Sequence, residues 1–292
     1  MTIIIDTDPG IDDAIAILYA LRSGQDVVAM TTVAGNIGLD VTSHNAGRIA
    51  ALAQSPVPVH PGAEAPLTGK ARPETGIHGN DGLGGVALPE PARAAEVEEA
   101  VAAIIRHVEA AAPRSVTLFC LGPLTNLARL IQSAPGVAGR LGPVIAMGGA
   151  VDEPGNVGPR SEFNIAHDPA AAEVVLAAGL DLTLIPLDAT RQLRADRSYI
   201  ETLREVGTLA SETSAALIEA YFAATTGEES RPLHDPCVPL YHARPDLFRV
   251  ETRSLSIDLK TGALEPGSYP VKIAMGLDAD ALRAELRRGL GC

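Results

Sequence analysis

Tryptophan is absent, and aromatic residues make up only 3% of the 292-residue chain. The interior cannot be built around large rings. Ala, Leu, Val and Ile, within an apolar fraction of 46%, must fill it. Cysteine is scarce as well: Cys120, Cys237 and Cys292 lie far apart and form no CxxC pair. That spacing excludes a disulfide framework and a thiolate zinc site, and it fits a reducing cytoplasm. No apolar run approaches the ~18 residues of a membrane span. The first residues lead straight into a β-rich run without a basic n-region or cleavage pattern, so no targeting segment is expected. Positive charge is in deficit, with 23 Lys+Arg against 36 Asp+Glu and a formal net charge of −13. This balance argues against nucleic-acid polymers and anionic membranes as partners. Gly-x-Ser-x-Gly, a Walker loop and a Gly-rich dinucleotide fingerprint are all missing, so neither a serine nucleophile nor a nucleotide cofactor is signalled.

Carboxylates are what the chain does have. The stretch Ile3-Ile4-Ile5-Asp6-Thr7-Asp8-Pro9-Gly10-Ile11-Asp12-Asp13 reads as a short buried strand, a Pro-Gly stop and the first turn of a helix. Asp6, Asp8, Asp12 and Asp13 therefore crowd the carboxyl end of a strand, where open α/β sheets bind ligands. Singly, each acid has an ordinary explanation: Asp12 as an N-cap, Asp13 at the positive end of a helix dipole, Asp6 bonded to the turn backbone. Together they repel one another unless a cation sits among them, and a hard, oxygen-seeking ion such as Ca²⁺ or Mg²⁺ suits them.

The rest of the chain alternates. Asp26 to Val33 is β-rich, Asp40 to Ala53 periodic and helical, and Val57 to His60 a short strand. This βαβαβ start predicts an α/β fold with an open, mostly parallel, doubly wound sheet and helices on both faces, a Rossmann-like core. Further helices are expected at Glu96 to Ala111, from Thr125 to Gln132, Asp168 to Ala178, about Ser198 to Thr225, and Asp278 to Arg288. Strands are expected at Val116 to Leu121, Val144 to Met147, Leu182 to Pro186, Arg253 to Leu259 and Tyr269 to Ala274. Pro61 to Pro91 is rich in Pro and Gly, and its polar centre, Gly76 to Gly82 with His78, suggests a flap over a site. No repeat or linker interrupts residues 1–292, so one domain is expected.

Two more polar clusters fall where chemistry is expected. Asp152 to Asn164 follows a strand and its Gly-Gly turn; within it Asn156, Glu162 and Asn164 carry groups suited to sugar hydroxyls. In Leu233-His234-Asp235-Pro236, His234 is the best acid or base, because imidazole titrates near neutrality. Asp235 reads either as a further metal ligand or as a cap for the helix that starts at Pro236.

These motifs resemble the inosine-uridine-preferring nucleoside hydrolases. The resemblance rests on Asp6 to Asp13, Val33-Ala34-Gly35-Asn36, Gly122-Pro123-Leu124-Thr125-Asn126, Met147-Gly148-Gly149, Glu162-Phe163-Asn164 and His234-Asp235-Pro236-Cys237, in register over most of the chain. It implies Ca²⁺ held by Asp8, Asp13, Asp235 and the backbone carbonyl of Leu121. Asp8 also acts as base toward the attacking water. It further implies ribose held by Asp12, Asn36, Asn156, Glu162 and Asn164, with His234 as the acid for the leaving base, and a homodimer or homotetramer. His78 joins the candidate substrate contacts.

Two departures bear on specificity. The purine-specific branch sandwiches its base between Trp side chains, which this chain lacks. The segment before His234 carries Glu228, Glu229 and Arg231, with Tyr221 upstream. Two other readings compete. In a haloacid-dehalogenase-type phosphatase, Asp6 would be the nucleophile with Mg²⁺. The other is a Ca²⁺-dependent ribose-binding protein without turnover.

Overall fold

The computed structural model describes residues 1–71, 73–225 and 230–292. The amino-terminal half runs β1 Thr2–Thr7, α1 Ile11–Arg22, β2 Val27–Thr32, α2 Leu39–Leu52, β3 Val59–Pro61, α3 Thr75–His78, α4 Ala100–Ala110, β4 Val116–Cys120, α5 Thr125–Ser133, α6 Pro135–Ala138 and β5 Val144–Met147. It continues through α7 Phe163–His167, α8 Pro169–Ala177, β6 Leu182–Ile185, α9 Leu187–Thr190, β7 Arg194–Asp196, α10 Arg197–Arg204 and α11 Leu209–Ala224. The chain closes with β8 Ser230–Pro232, α12 Cys237–Ala243, β9 Phe248–Ile257, β10 Leu264–Pro266, β11 Tyr269–Leu277 and α13 Ala279–Leu290.

Nine strands form one sheet in the order β10-β9-β11-β6-β5-β4-β1-β2-β3. The run from β3 to β6 is parallel, and β11 joins β6 in parallel. The expectation of a mostly parallel sheet therefore holds, and the far edge is mixed, because β9 pairs antiparallel with both β10 and β11. Successive β1 side chains serve opposite faces, as the pleat requires. Ile3 and Ile5 pack with α1, α11 and α13, whereas Ile4 packs with α4, α5 and α8. Burial on both faces explains why β1, β4 and β5 read as unbroken apolar runs.

The helical segments expected from about Ser198 to Thr225 are the two helices α10 and α11. Gly207 turns the chain at φ 73°, and Thr208 starts α11 by accepting the Ser211 N–H. Helix α4 starts at Ala100 rather than Glu96, since the Glu96 N–H bonds the Val59 carbonyl beside β3. Among the described residues no helix is long and apolar enough to cross a membrane.

The topology positions the site. From β1 the neighbours run to β2 on one side and to β4 on the other, which opens a crevice at the strands' carboxyl ends. Asp8 lies one residue past β1, Leu121 one past β4, and Ala34-Gly35-Asn36 just past β2.

Candidate active site

Asp8 is held by its surroundings rather than by its own rotamer. Its Oδ2 accepts the Asn36 backbone N–H at 2.7 Å. A Cβ on Gly35 would stand 2.0 Å from Asp8 Oδ2, and one on Gly122 would stand 2.2 Å from Oδ1. Only glycine allows the two loops to close on the carboxylate, so both motifs need it. Among the described residues the buried Asp8 Oδ1 has no hydrogen-bond partner. A buried carboxylate oxygen left bare is costly, and it marks the place where a positive group belongs.

Asp13 lies in the first turn of α1. Its Oδ1 accepts the Thr7 hydroxyl at 2.6 Å, and its Oδ2 accepts the Gly10 N–H at 3.0 Å and the Asn36 amide at 3.1 Å. Gly10, not Asp12, is the N-cap of α1, and Pro236 precedes α12 with no side-chain cap. The carboxylates of Asp12 and Asp235 are thus not spent on capping. With Asp13 they form a buried trio whose ligand atoms all lie within 4.8 Å of one another. This trio could hold a metal ion. Asp8 lies outside this trio. The Leu121 carbonyl accepts the Asn164 amide at 2.7 Å and retains a second lone pair.

Asp6 departs from the expected cluster of four. Its Oδ1 accepts the Thr31 hydroxyl at 2.6 Å and the Asn126 amide at 2.8 Å, behind the cleft rather than in it. With Oδ1 bonded twice inside the sheet, Asp6 lends the phosphatase reading no support.

Electrostatics sharpen the case for a cation. Burial, reinforced by Asp13, holds the Asp8 carboxyl well above the usual range. Burial and then Asp12 raise Asp13, and the same two causes hold Asp235 well above its ordinary value. Burial alone pushes Asp6 up to about 6. Desolvated like charges are relieved by a divalent ion, and an all-oxygen donor set suits a hard one.

Beside the acids opens a cleft of ≈ 190 Å³, lined by Asp12, Asn36, His78, Leu121, Asn156, Glu162, Asn164, Tyr221, His234 and Asp235 among others. Glu162 caps α7: its Oε1 accepts the Asn164 N–H at 2.9 Å, and its Oε2 accepts the N–H groups of Gly149 at 2.9 Å and Ile165 at 3.1 Å. Burial raises its carboxyl against those bonds. Asn156 lies exposed at the rim and accepts the Phe163 N–H at 3.0 Å. His78 Nδ1 accepts the Ile11 N–H at 3.1 Å, so its Nε2 carries the proton. His234 Nδ1 is 2.7 Å from the Thr190 hydroxyl, and burial lowers its pKa.

The expected site residues all lie on or beside this cleft. Thr190 and Asp188 escaped the sequence reading, although Pro186-Leu187-Asp188 follows a strand just as Asp8 does. Tyr221 lines the cleft, and Arg231 stacks on its ring at 5.8 Å from the centroid. Glu228 and Glu229, singled out in the sequence, lie outside the described residues.

The model of the inosine-uridine preferring nucleoside hydrolases matches residues 3–284. The chain belongs to that family. As a nucleoside hydrolase it cleaves the N-glycosidic bond of ribonucleosides. An uncharacterized protein of Schizosaccharomyces pombe is 37% identical over 266 residues, 89% of this chain and 85% of that one. The pyrimidine-specific ribonucleoside hydrolase RihA of Salmonella paratyphi C is 36% identical over 89% of this chain and 85% of its own. Among solved structures, the plant nucleoside hydrolase PpNRh1 superposes with a TM-score of 0.93 at 30% identity, covering 100% of this hydrolase and 99% of that chain. A purine-preferring ribonucleoside hydrolase from Gardnerella vaginalis gives 0.92 at 28%, covering 100% and 98%.

Proposed function

We propose that this hydrolase is calcium-dependent and has an inosine/uridine-type preference, releasing ribose and a free base. One observation carries the reading: the Asp12/Asp13/Asp235 trio and the bare Asp8 oxygen accompany a cleft lined by Asn36, Asn156, Glu162 and Asn164, groups suited to sugar hydroxyls, and by His78 and His234. Asp8, Asp13, Asp235 and the Leu121 carbonyl would hold the ion, with Asp12 turned to the sugar. Bound there, calcium would supply the positive charge that orients sugar hydroxyls and makes a nearby water more acidic.

The remaining work falls to side chains. Leaving of the base builds positive charge on the ribose, which carboxylates already fixed in place stabilise without reorganising. Glu162 is so fixed by three backbone N–H groups, and Asn164 by the carbonyls of Leu121 and Met147. Asp8, with Oδ1 unpartnered, takes the proton of the attacking water. His234 gives a proton to the base, making it a better leaving group. His78 and Tyr221 flank the base. The RihA relatives and the purine-preferring neighbour act on different bases, so the preference rests on the lack of Trp and on these side chains.

Initial rates on inosine, adenosine, guanosine, uridine and cytidine, with and without EDTA, test the reading. Ribose release that EDTA abolishes and calcium restores is expected, as is loss of turnover in Asp8→Ala. Binding without release would leave the ribose-binding alternative instead. On the family resemblance we also propose a homodimer or homotetramer in the cytoplasm; sedimentation tests the assembly.

A further inference from the structure

Two lining residues of the cleft, Asn156 and His234, are tied to one short segment. Helix α9 and the residue after it, Leu187 to Arg191, follow β6 at the same sheet edge as Asp8. Asp188 accepts three backbone N–H groups from the loop beyond β5: Val151 at 2.8 Å, Asp152 at 2.7 Å and Glu153 at 3.0 Å. Arg191 continues the grip, donating to the carbonyls of Pro154 at 2.7 Å and Gly155 at 3.1 Å and to Glu153 Oε2 at 3.1 Å. The next residue is Asn156, on the rim of the cleft. Between these two, the fully buried Thr190 reaches His234.

We propose that Asp188, Thr190 and Arg191 are positioning residues: Asp188 and Arg191 set the loop that presents Asn156 to ribose, and Thr190 sets the ring of His234 toward the base. The inference rests on the acid role of His234 proposed above. Neither Asp188 nor Thr190 lines the cleft, so each acts through another group.

A threonine hydroxyl fits both states of its partner, because it donates and accepts and its hydrogen turns freely. With Nδ1 tied to Thr190 Oγ1 at 2.7 Å, Nε2 is the ring nitrogen left to face the base, whichever of the two atoms holds the shared hydrogen. Valine has the shape of threonine but cannot make this bond, so Nδ1 would be left unpartnered in a buried site.

The two ends of the segment predict different kinetics. Thr190→Val should lower kcat on inosine or uridine about 10-fold, a fraction of what a general acid supplies. The same variant should leave p-nitrophenyl riboside, whose leaving group needs no proton, within about twofold, and Thr190→Ser should restore the nucleoside rate. Retained aryl riboside turnover also shows that the variant is folded. Asp188→Asn puts an amide where three N–H groups donate, and it should raise KM about 10-fold on both substrates alike, since the ribose is common to them. Arg191→Gln should move KM the same way by less. Equal kcat losses of Thr190→Val on both substrates, or no rescue by serine, would overturn the His234 half. Unchanged KM in both Asp188→Asn and Arg191→Gln would overturn the loop half. His234→Ala separates the layers: if it spares the aryl riboside while Thr190→Val does not, the acid role stands and only this inference falls.

Discussion

Calcium should stabilise this protein, and the stabilisation should grow with pH. Asp8, Asp13 and Asp235 are all raised above the ordinary carboxylate range in the folded chain. Without a cation, the folded state therefore holds more protons than the unfolded state above that range, and its stability falls as pH rises through the window. A bound ion must displace those protons. Each one retained weakens binding about tenfold per pH unit, so binding strengthens as pH rises through the raised range. At a hundredfold excess over Kd, the ligand term is about 2.7 kcal/mol. For a chain of this length that is a Tm rise of about 5 °C. Burial lowers His107 and His242, which pulls the other way, stability rising with pH as they become neutral. The quantity to follow is thus the difference between calcium and EDTA at each pH, in which those histidines cancel. Differential scanning fluorimetry from pH 5 to 8 measures it. Asp235→Asn should flatten the difference to near zero. A calcium shift of equal size at pH 5 and pH 8, or none at either, would refute the argument.

Further predictions follow from single contacts. Gly122→Ala places a methyl group 2.2 Å from Asp8 Oδ1; kcat should fall at least about 100-fold, the scale of losing one aligned catalytic group, while circular dichroism stays native. Asp6 is raised from 3.8 to about 6, so its charge costs about 3 kcal/mol at pH 7 in the cation-free protein. Urea titrations of Asp6→Asn in EDTA should show a smaller loss of stability between pH 4 and 6 than the parent, because the other raised carboxyls remain. Asp196 caps α10, accepting the Tyr199 N–H at 2.8 Å and the Ser198 hydroxyl at 2.7 Å, and those bonds lower its pKa. Its stabilisation is present above the usual carboxylate range and lost as pH falls through the lowered value. Asp196→Ala should therefore cost about 1 kcal/mol at pH 7 and progressively less in acid.

The sheet's parallel body was legible because its strands are buried on both faces. Val144 to Met147 was read to the residue, and β1 and β4 to within two. The mixed edge was not legible: the runs at β9 and β11 are β-favouring, but strand direction depends on pairings that no local pattern encodes. The split between α10 and α11 had a local signal, Gly207 before Thr208. In the site, adjacency in sequence decided what could be seen. Asp8, Asp12 and Asp13 stand together in the chain, and the family motifs added Asp235. Thr190 lies 44 residues from His234, so nothing near either residue announces the bond. Asp6 misled for a different reason: it lies inside β1 rather than past its end, and the Thr31 hydroxyl and the Asn126 amide occupy its Oδ1.

Asp8 and Asp13 leave the ribosome early, whereas Asp235 follows more than two hundred residues later. Because β11 lies beside β6 and is drawn from the last part of the chain, the sheet also closes late. A nascent chain therefore carries Asp12 and Asp13 for most of its synthesis without the third member of the trio. Premature termination anywhere before Asp235 yields a polypeptide in which the acidic trio is never completed.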